Sequence, residues 1–233
     1  MNIVLLGYGK MGKAIEKIAL NRGHEIVLKV DTNTTSYDIS IGDIAIDFST
    51  PTAAYKNISN CINNNIPVIS GTTGWHKDYD KVVELCKEKK GAFISATNFS
   101  LGVNIFFELN EKLAKMMANL TAYNCAIEEI HHTEKLDAPS GTAITLAEGI
   151  IKNTNKKEWK LNVTNSDDSL PIVSKRIPNV SGTHSIEYTS PIDTLEIKHT
   201  AHNREGFALG AVIAAEWLLN KNGVYTMKDV LGI

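Results

Sequence analysis

Two short segments concentrate residue types that can do chemistry. In the first, the run HHTEKLDAPSGTA, His131, His132 and Lys135 are followed past Asp137 and Pro139 by Ser140, Gly141 and Thr142. An imidazole titrates near neutrality and can pass a proton. Lys135 adds a full positive charge. The Ser140-Gly141-Thr142 turn opens a helical stretch, and a helix start offers unpaired backbone N–H groups and the positive end of a dipole. With two hydroxyls beside them, these groups suit a carboxylate. The same residues also have an ordinary structural reading, in which Ser140 caps its helix and the paired histidines sit at the surface. No metal is expected here. Adjacent residues on an extended segment point to opposite faces, and no third ligand stands at a recognisable spacing.

The second segment opens the chain. Gly7-Tyr8-Gly9-Lys10-Met11-Gly12 fits G-x-G-x-x-G between a strand-like run, Asn2 to Leu6, and a helical stretch, Lys13 to Asn21. In such a turn the first glycine permits the bend and the second lets backbone approach a pyrophosphate. The third lets helix pack on strand. Asp31 ends the next strand 19 residues after Gly12, where an acid meets ribose hydroxyls. By itself, Asp31 also reads as a surface turn residue. A carboxylate there repels a 2′-phosphate, and Thr32 and Asn33 supply no arginine to hold one; Lys10 offers partial compensation. The cofactor is therefore NADH or NADPH, with NADH suited at least as well.

The elements that must position these groups follow an alternating pattern. Glu25 to Asp31, Asp43 to Phe48, Ile66 to Ser70 and Ala92 to Ala96 read as strands. Helices are expected from Pro51 and over His76 to Lys90, as in a parallel sheet with crossover helices. Only about a dozen residues separate Asp31 from the next strand, near the minimum for a crossover, so a loop or short turn replaces the helix there. After Asn98 the pattern changes. A helix over Val103 to Met117, a strand over Tyr123 to Ile130 and a helix from about Ser140 to Lys152 lead into a polar loop near 153 to 169. Runs around Ser185 to Thr189 and Thr194 to Thr200 suggest mainly antiparallel strands. Phe207 to Leu219 is an Ala-rich helix.

Bulk properties exclude several classes. The 233 residues are 43% hydrophobic and 21% charged with a formal net charge of -2, values ordinary for a globular protein with a core. No basic footprint marks a nucleic-acid binder. No apolar run has membrane-spanning length, and the start lacks the shape of a signal peptide. Cys61, Cys86 and Cys125, odd in number and far apart, read as buried or half-buried thiols suited to a reducing cytoplasm.

Taken together, the motifs resemble the dihydrodipicolinate reductase family, whose members reduce 4-hydroxy-tetrahydrodipicolinate in lysine and diaminopimelate synthesis. Five blocks carry the resemblance in order: the glycine turn, GTTG at 71 to 74, ATNFSLGVN at 96 to 104, HHTEKLDAPSGTA at 131 to 143 and REGFALGA at 204 to 211. The resemblance implies an α/β fold: a Rossmann-type domain over 1–100 and 205–233, interrupted by an α+β domain over 101–204 with a mixed or antiparallel sheet. That inserted domain would bind substrate and form a homotetramer. His131 would exchange the proton with Lys135 as its partner. His132, Lys135, Ser140, Gly141 and Thr142 would hold the carboxylates of a small cyclic substrate. Gly71, Thr72 and Thr73, with Ala96, Thr97, Asn98 and Phe99, would border the nicotinamide and ribose. The chain would cross between domains near 98 to 103 and 203 to 207. Several features depart from the family pattern. The glycine turn is one residue short, Lys10 stands where arginine is common, Thr133 and Glu134 replace basic residues, and the segment 32 to 42 is trimmed. The alternatives are another two-domain nicotinamide enzyme, acting on a sugar or semialdehyde, and a non-catalytic dinucleotide-sensing protein.

Overall fold

The computed structural model describes residues 1–163, 168–203 and 205–233. Its backbone contacts divide the chain into two compact units, Met1–Leu101 with Glu205–Ile233, and Gly102–Arg204.

The first unit begins with β1 (Asn2–Leu6), whose Ile3 to Leu6 are all buried. A continuous apolar run of this kind marks a parallel strand covered on both faces. Helix α1 (Lys10–Asn21) starts directly from the glycine turn and buries Gly12, Ile15 and Ala19 along one stripe. Strand β2 (Glu25–Val30) follows, and the short link expected after it holds only a single 3-10 turn, Ile39–Ile41. Strand β3 (Ile44–Asp47) leads through Thr50 at the N-cap position into α2 (Pro51–Asn63). Pro51 suits the first turn because its missing N–H would have had no partner there. Strand β4 (Val68–Ser70), helix α3 (Tyr79–Lys89) and β5 (Ala92–Ser95) complete the series. The helix expected from His76 thus begins with a separate 3-10 turn, His76–Asp78.

The second unit carries most of α4 (Leu101–Met117), then β6 (Asn124–His131) and α5 (Gly141–Asn153). Strand β7 (Glu158–Leu161) lies inside the segment expected to be a polar loop; positions 164–167 of that segment are outside the described residues. Strands β8 (Ser169–Arg176), β9 (Thr183–Thr189) and β10 (Thr194–Thr200) follow. The chain then rejoins the first unit with α6 (Glu205–Leu218), β11 (Gly223–Tyr225) and α7 (Met227–Leu231). Arg204, which opens the REGFALGA block and falls in the expected crossing at 203 to 207, is outside the described residues.

The first unit's sheet has the order β11-β5-β4-β3-β1-β2 and every pairing in it is parallel. The chain leaves β1 toward β2 on one side and returns to β3 on the other. That reversal is a topological switch point, where open α/β sheets bind ligands beyond their carboxyl ends. Helix α6 lays Ala208, Ala211, Ala214 and Ala215 into the core beside β1, β3 and α1. Its Gly210 is required because any Cβ there would overlap the Phe99 carbonyl.

The second sheet, β10-β9-β6-β8-β7, is mixed, one of the two forms expected, and the runs over β9 and β10 do pair antiparallel. Strand β6 runs antiparallel to β9 but parallel to β8, and β7 is parallel to β8. One face of β6 presents Cys125 and Ile127 to a core shared with Ala143, Leu146 and Ala147 of α5. The same face continues with Glu129 and His131, both buried.

Candidate active site

At the switch point, Gly7 adopts φ +97, and a Cβ there would overlap the backbone of Phe48 and Ser49. A Cβ on Gly12 would overlap the Gly7 carbonyl, whereas Gly9 faces open space. All three motif positions therefore have a physical reason to be glycine: a left-handed bend, an open approach and a close helix contact. The first turn of α1 contains Lys10, Met11 and Gly12, has no acidic residue, and takes no side-chain cap from Gly9. Its N–H groups are the kind that receive a phosphate. A cleft of about 1040 Å³ adjoins this turn, lined by Gly7, Tyr8, Gly9, Asp31, Thr32 and Lys56 among others. The donor set and the open cradle at Gly9 fit a dinucleotide.

Asp31 lies in this cleft but also does the ordinary work of a turn residue. Its Oδ1 accepts from the Asn33 N–H at 2.8 Å and the Thr34 hydroxyl at 3.1 Å. The Tyr8 hydroxyl and Lys29 both bond to Glu16, which fixes the tyrosine of the glycine turn.

A buried carboxylate outside the expected site residues organises the neighbouring loops. Asp47, at the end of β3, accepts from Ser49 Oγ at 2.6 Å, Asn57 Nδ2 at 3.1 Å, Ser70 Oγ at 2.8 Å and Thr72 Oγ1 at 2.7 Å. Burial raises its pKa above the ordinary aspartate value, against the lowering effect of these four donors. Thr72, expected at the cofactor, also accepts the Ser49 N–H at 2.9 Å, so its hydroxyl ties two loops together. Gly71 lets the Phe48 ring approach closely, and Thr73 is exposed. In the 96 to 99 segment, Thr97 is exposed and Ala96 and Asn98 are half-buried. The Phe99 ring is core, 5.8 Å from that of Phe48.

In the second unit, His131 ends β6 and the next residues leave the sheet through a turn in which the Lys135 N–H donates to the His132 carbonyl at 3.2 Å. Lys135 Nζ donates to both carboxylate oxygens of Asp137, at 2.8 and 2.7 Å. Ser140 is the N-cap of α5, its Oγ accepting the Ala143 N–H at 3.2 Å. The capping role is thus real, and it leaves the exposed Gly141 and half-buried Thr142 at the helix start. His132 is half-buried, and its Nδ1 has no hydrogen-bond partner. Thr133 and Glu134 are exposed.

The structure adds groups that the motif does not contain. Ligand atoms of Glu129, His131 and His184 all lie within 4.8 Å of one another. Glu129 stands two residues before His131 on β6, and His184 comes from the neighbouring strand β9. Arg176 lies 3.3 Å from Glu129 and already compensates its charge, so a further cation would meet like charge. His184 Nε2 lies 3.1 Å from Ser140 Oγ, and burial, with the neighbouring His131, pushes its pKa down to about 4.

The first unit is thus a parallel sheet with a glycine turn at its switch point, and the second a mixed sheet that carries His131 on β6, with Lys135 and Ser140 following it. Comparison with known proteins gives the family. The family models described as Dihydrodipicolinate reductase, N-terminus, and Dihydrodipicolinate reductase, C-terminus, match residues 1–99 and 102–231. A 4-hydroxy-tetrahydrodipicolinate reductase of Christiangramia forsetii is 57% identical over 99% of this chain and 98% of its own length. One from Thermosipho africanus is 37% identical over the same shares. The dipicolinate-bound dihydrodipicolinate reductase of Paenisporosarcina sp. TG-14 has the same fold, with a TM-score of 0.77 at 23% identity over 97% of each chain. The chain belongs to the dihydrodipicolinate reductase family. No helix among the described residues is long and apolar enough to cross a membrane.

Proposed function

We propose that the protein reduces 4-hydroxy-tetrahydrodipicolinate to tetrahydrodipicolinate, with loss of water, using a reduced nicotinamide dinucleotide. The observation that carries this reading is the intact HHTEKLDAPSGTA segment, whose His131, Lys135 and α5 start converge on one loop system. It accompanies 57% identity to a reductase of that name. When bound, the nicotinamide supplies the hydride. The first unit's residues hold it: Gly7 to Gly12 take the pyrophosphate, Asp31 takes the ribose, and Gly71 to Thr73 with Ala96 to Phe99 border the nicotinamide. His131 donates the proton that quenches the electron density left by hydride addition, a role for a positioned acid. Lys135, His132 and the Ser140-Gly141-Thr142 turn orient the two carboxylates, the turn through its hydroxyls and backbone N–H groups. Lys135 exchanges its Asp137 partner for a substrate carboxylate.

NADH is used at least as well as NADPH. Asp31 puts a negative charge in the cleft, and Lys29 is committed to Glu16. Lys56 is the one cation among the described lining residues. The inserted domain, residues 101–204, binds the substrate and builds a homotetramer in the cytoplasm.

Pyridine-2,6-dicarboxylate, a planar mimic of the product ring, is expected to compete with the ring substrate in steady-state kinetics with either cofactor. Inhibition that ignores the ring substrate concentration would contradict this placement of the carboxylate cradle.

A further inference from the structure

The strand register of the second sheet places a rank of polar residues behind His131. Across β9, β6 and β8 the cross-strand partners read Ile186–Ile127–Ile172 and then His184–Glu129–Ser174, with Arg176 opposite His131 in the next row. Alternate positions share a face, so an apolar row of the core passes directly into a row of polar groups. Glu129 in that row is 0% exposed. A buried carboxylate is costly unless charges and donors surround it, and here they do. Ser174 Oγ donates at 2.7 Å and the Ser140 N–H at 3.0 Å, while two Arg176 nitrogens lie 3.4 and 3.3 Å away. Burial alone would raise its pKa; the nearby His131 ring and the Ser140 and Ser174 donors override that and hold it well below the ordinary carboxylate range.

Arg176 extends the arrangement to the catalytic loop. Its Nη2 donates to the Asp137 carbonyl at 2.7 Å and its Nε to the Lys135 carbonyl at 3.3 Å. The adjacent Ile177 N–H donates to the His131 carbonyl at 2.8 Å. His131 itself has one ring nitrogen, Nδ1, buried without an aligned hydrogen bond, and the atom it approaches is Glu129 Oε2 at 3.3 Å. Its other nitrogen, Nε2, passes Gly182, where φ is +153 and a Cβ would come within 3.2 Å of it.

We propose that Glu129 and Arg176 are positioning residues for the reduction. Glu129 fixes the His131 imidazole with Nδ1 turned toward its carboxylate, leaving Nε2 to carry the exchanged proton. Arg176 holds the loop bearing Lys135 and the Ser140 turn in register with that ring. This rests on the reading of His131 as the acid. The charged and titratable groups facing His131 are Glu129 on its own strand, Arg176 on β8, His184 on β9, and His132, Lys135 and Asp137 on the following loop. Arg176 is paired with Glu129, Lys135 with Asp137, and His184 is neutral at physiological pH. Glu129 is therefore the negative charge in contact with the ring, and Nδ1 is the ring atom that faces it.

Glu129→Gln keeps the side chain's shape and removes its charge, and Arg176→Lys keeps a charge and removes the planar fork. In the full-length enzyme, Glu129→Gln is expected to lower kcat by about 10- to 100-fold with little change in the KM for cofactor. The kcat–pH profile should change as well, because the charge facing the ring is gone. Arg176→Lys is expected to raise the KM for the ring substrate more than it lowers kcat. A folded Glu129→Gln enzyme with unchanged kcat and pH profile would overturn the proposal. If that variant does not fold, nitrogen-15 spectra of the wild-type histidines decide, with His131 assigned from its loss in His131→Gln. The proposal requires Nδ1–H in the neutral ring, and the Nε2–H tautomer overturns it. Full activity in His131→Ala would instead sink the acid assignment itself, whatever Glu129 does.

Discussion

Replacing His131 by alanine lowers kcat by about two to four orders of magnitude, the range lost when a positioned acid is removed. The imidazole ends a strand whose register fixes it, and its side chain is only 11% exposed. Lys135→Ala is expected to cost about as much in kcat/KM, divided differently. Its ammonium is held by Asp137 at 2.7 Å, and in the proposed mechanism it exchanges that partner for a substrate carboxylate, so both substrate affinity and turnover are expected to suffer. The glycine turn proposed to hold the cofactor contains neither residue, and the cofactor KM should change little. Steady-state kinetics on both variants check this, and unchanged turnover in both would mean that the chemistry lies elsewhere.

A second large effect is on stability in mild acid. His184 titrates near 6.5 when unfolded and at about 4 when folded, because burial and then the neighbouring His131 disfavour its charged form. The unfolded chain therefore binds more protons between those values, and stability falls as pH falls through that window. The loss reaches about 3 kcal/mol by pH 4, at about 1.36 kcal/mol per pH unit. Glu129 has a depressed folded pKa, so its contribution is present above its unfolded value of 4.5 and disappears as pH falls below it. The two losses follow one another on acidification. Urea unfolding of the wild type across pH 7 to 4 should show the His184 slope, and His184→Gln should flatten it. Equal slopes in both proteins would refute this account.

Much of the first unit was legible in the sequence because its signals are local. The apolar run of β1, the glycine turn and Pro51 each sit within a few residues of what they determine. Motif positions in the second unit were legible for the same reason, with Ser140 three residues before the N–H it caps. Other features depend on distant pairing. Strand β8 carries Pro171 inside it, a residue that argues against a strand when read alone. Strand β7 is four residues long within polar sequence. The mixed character of the sheet follows from β6 pairing parallel to β8, which no local pattern encodes. Glu129, Arg176 and His184 reach His131 only through that register, and Asp47 gathers donors from three separate segments, at Ser49, at Asn57 and at Ser70 with Thr72. The short α7 did leave a signal, since Thr226 and Asp229 form a capping box.

The most direct test of the central claim couples the purified protein to a synthase that makes the ring substrate from pyruvate and aspartate semialdehyde. Loss of the reduced-nicotinamide absorbance is followed with NADH and NADPH in parallel. The account predicts oxidation dependent on the synthase, with a KM for NADH no higher than that for NADPH. Cofactor oxidation no faster than without the synthase would contradict the proposed reaction, and a strong preference for NADPH would contradict the role given to Asp31.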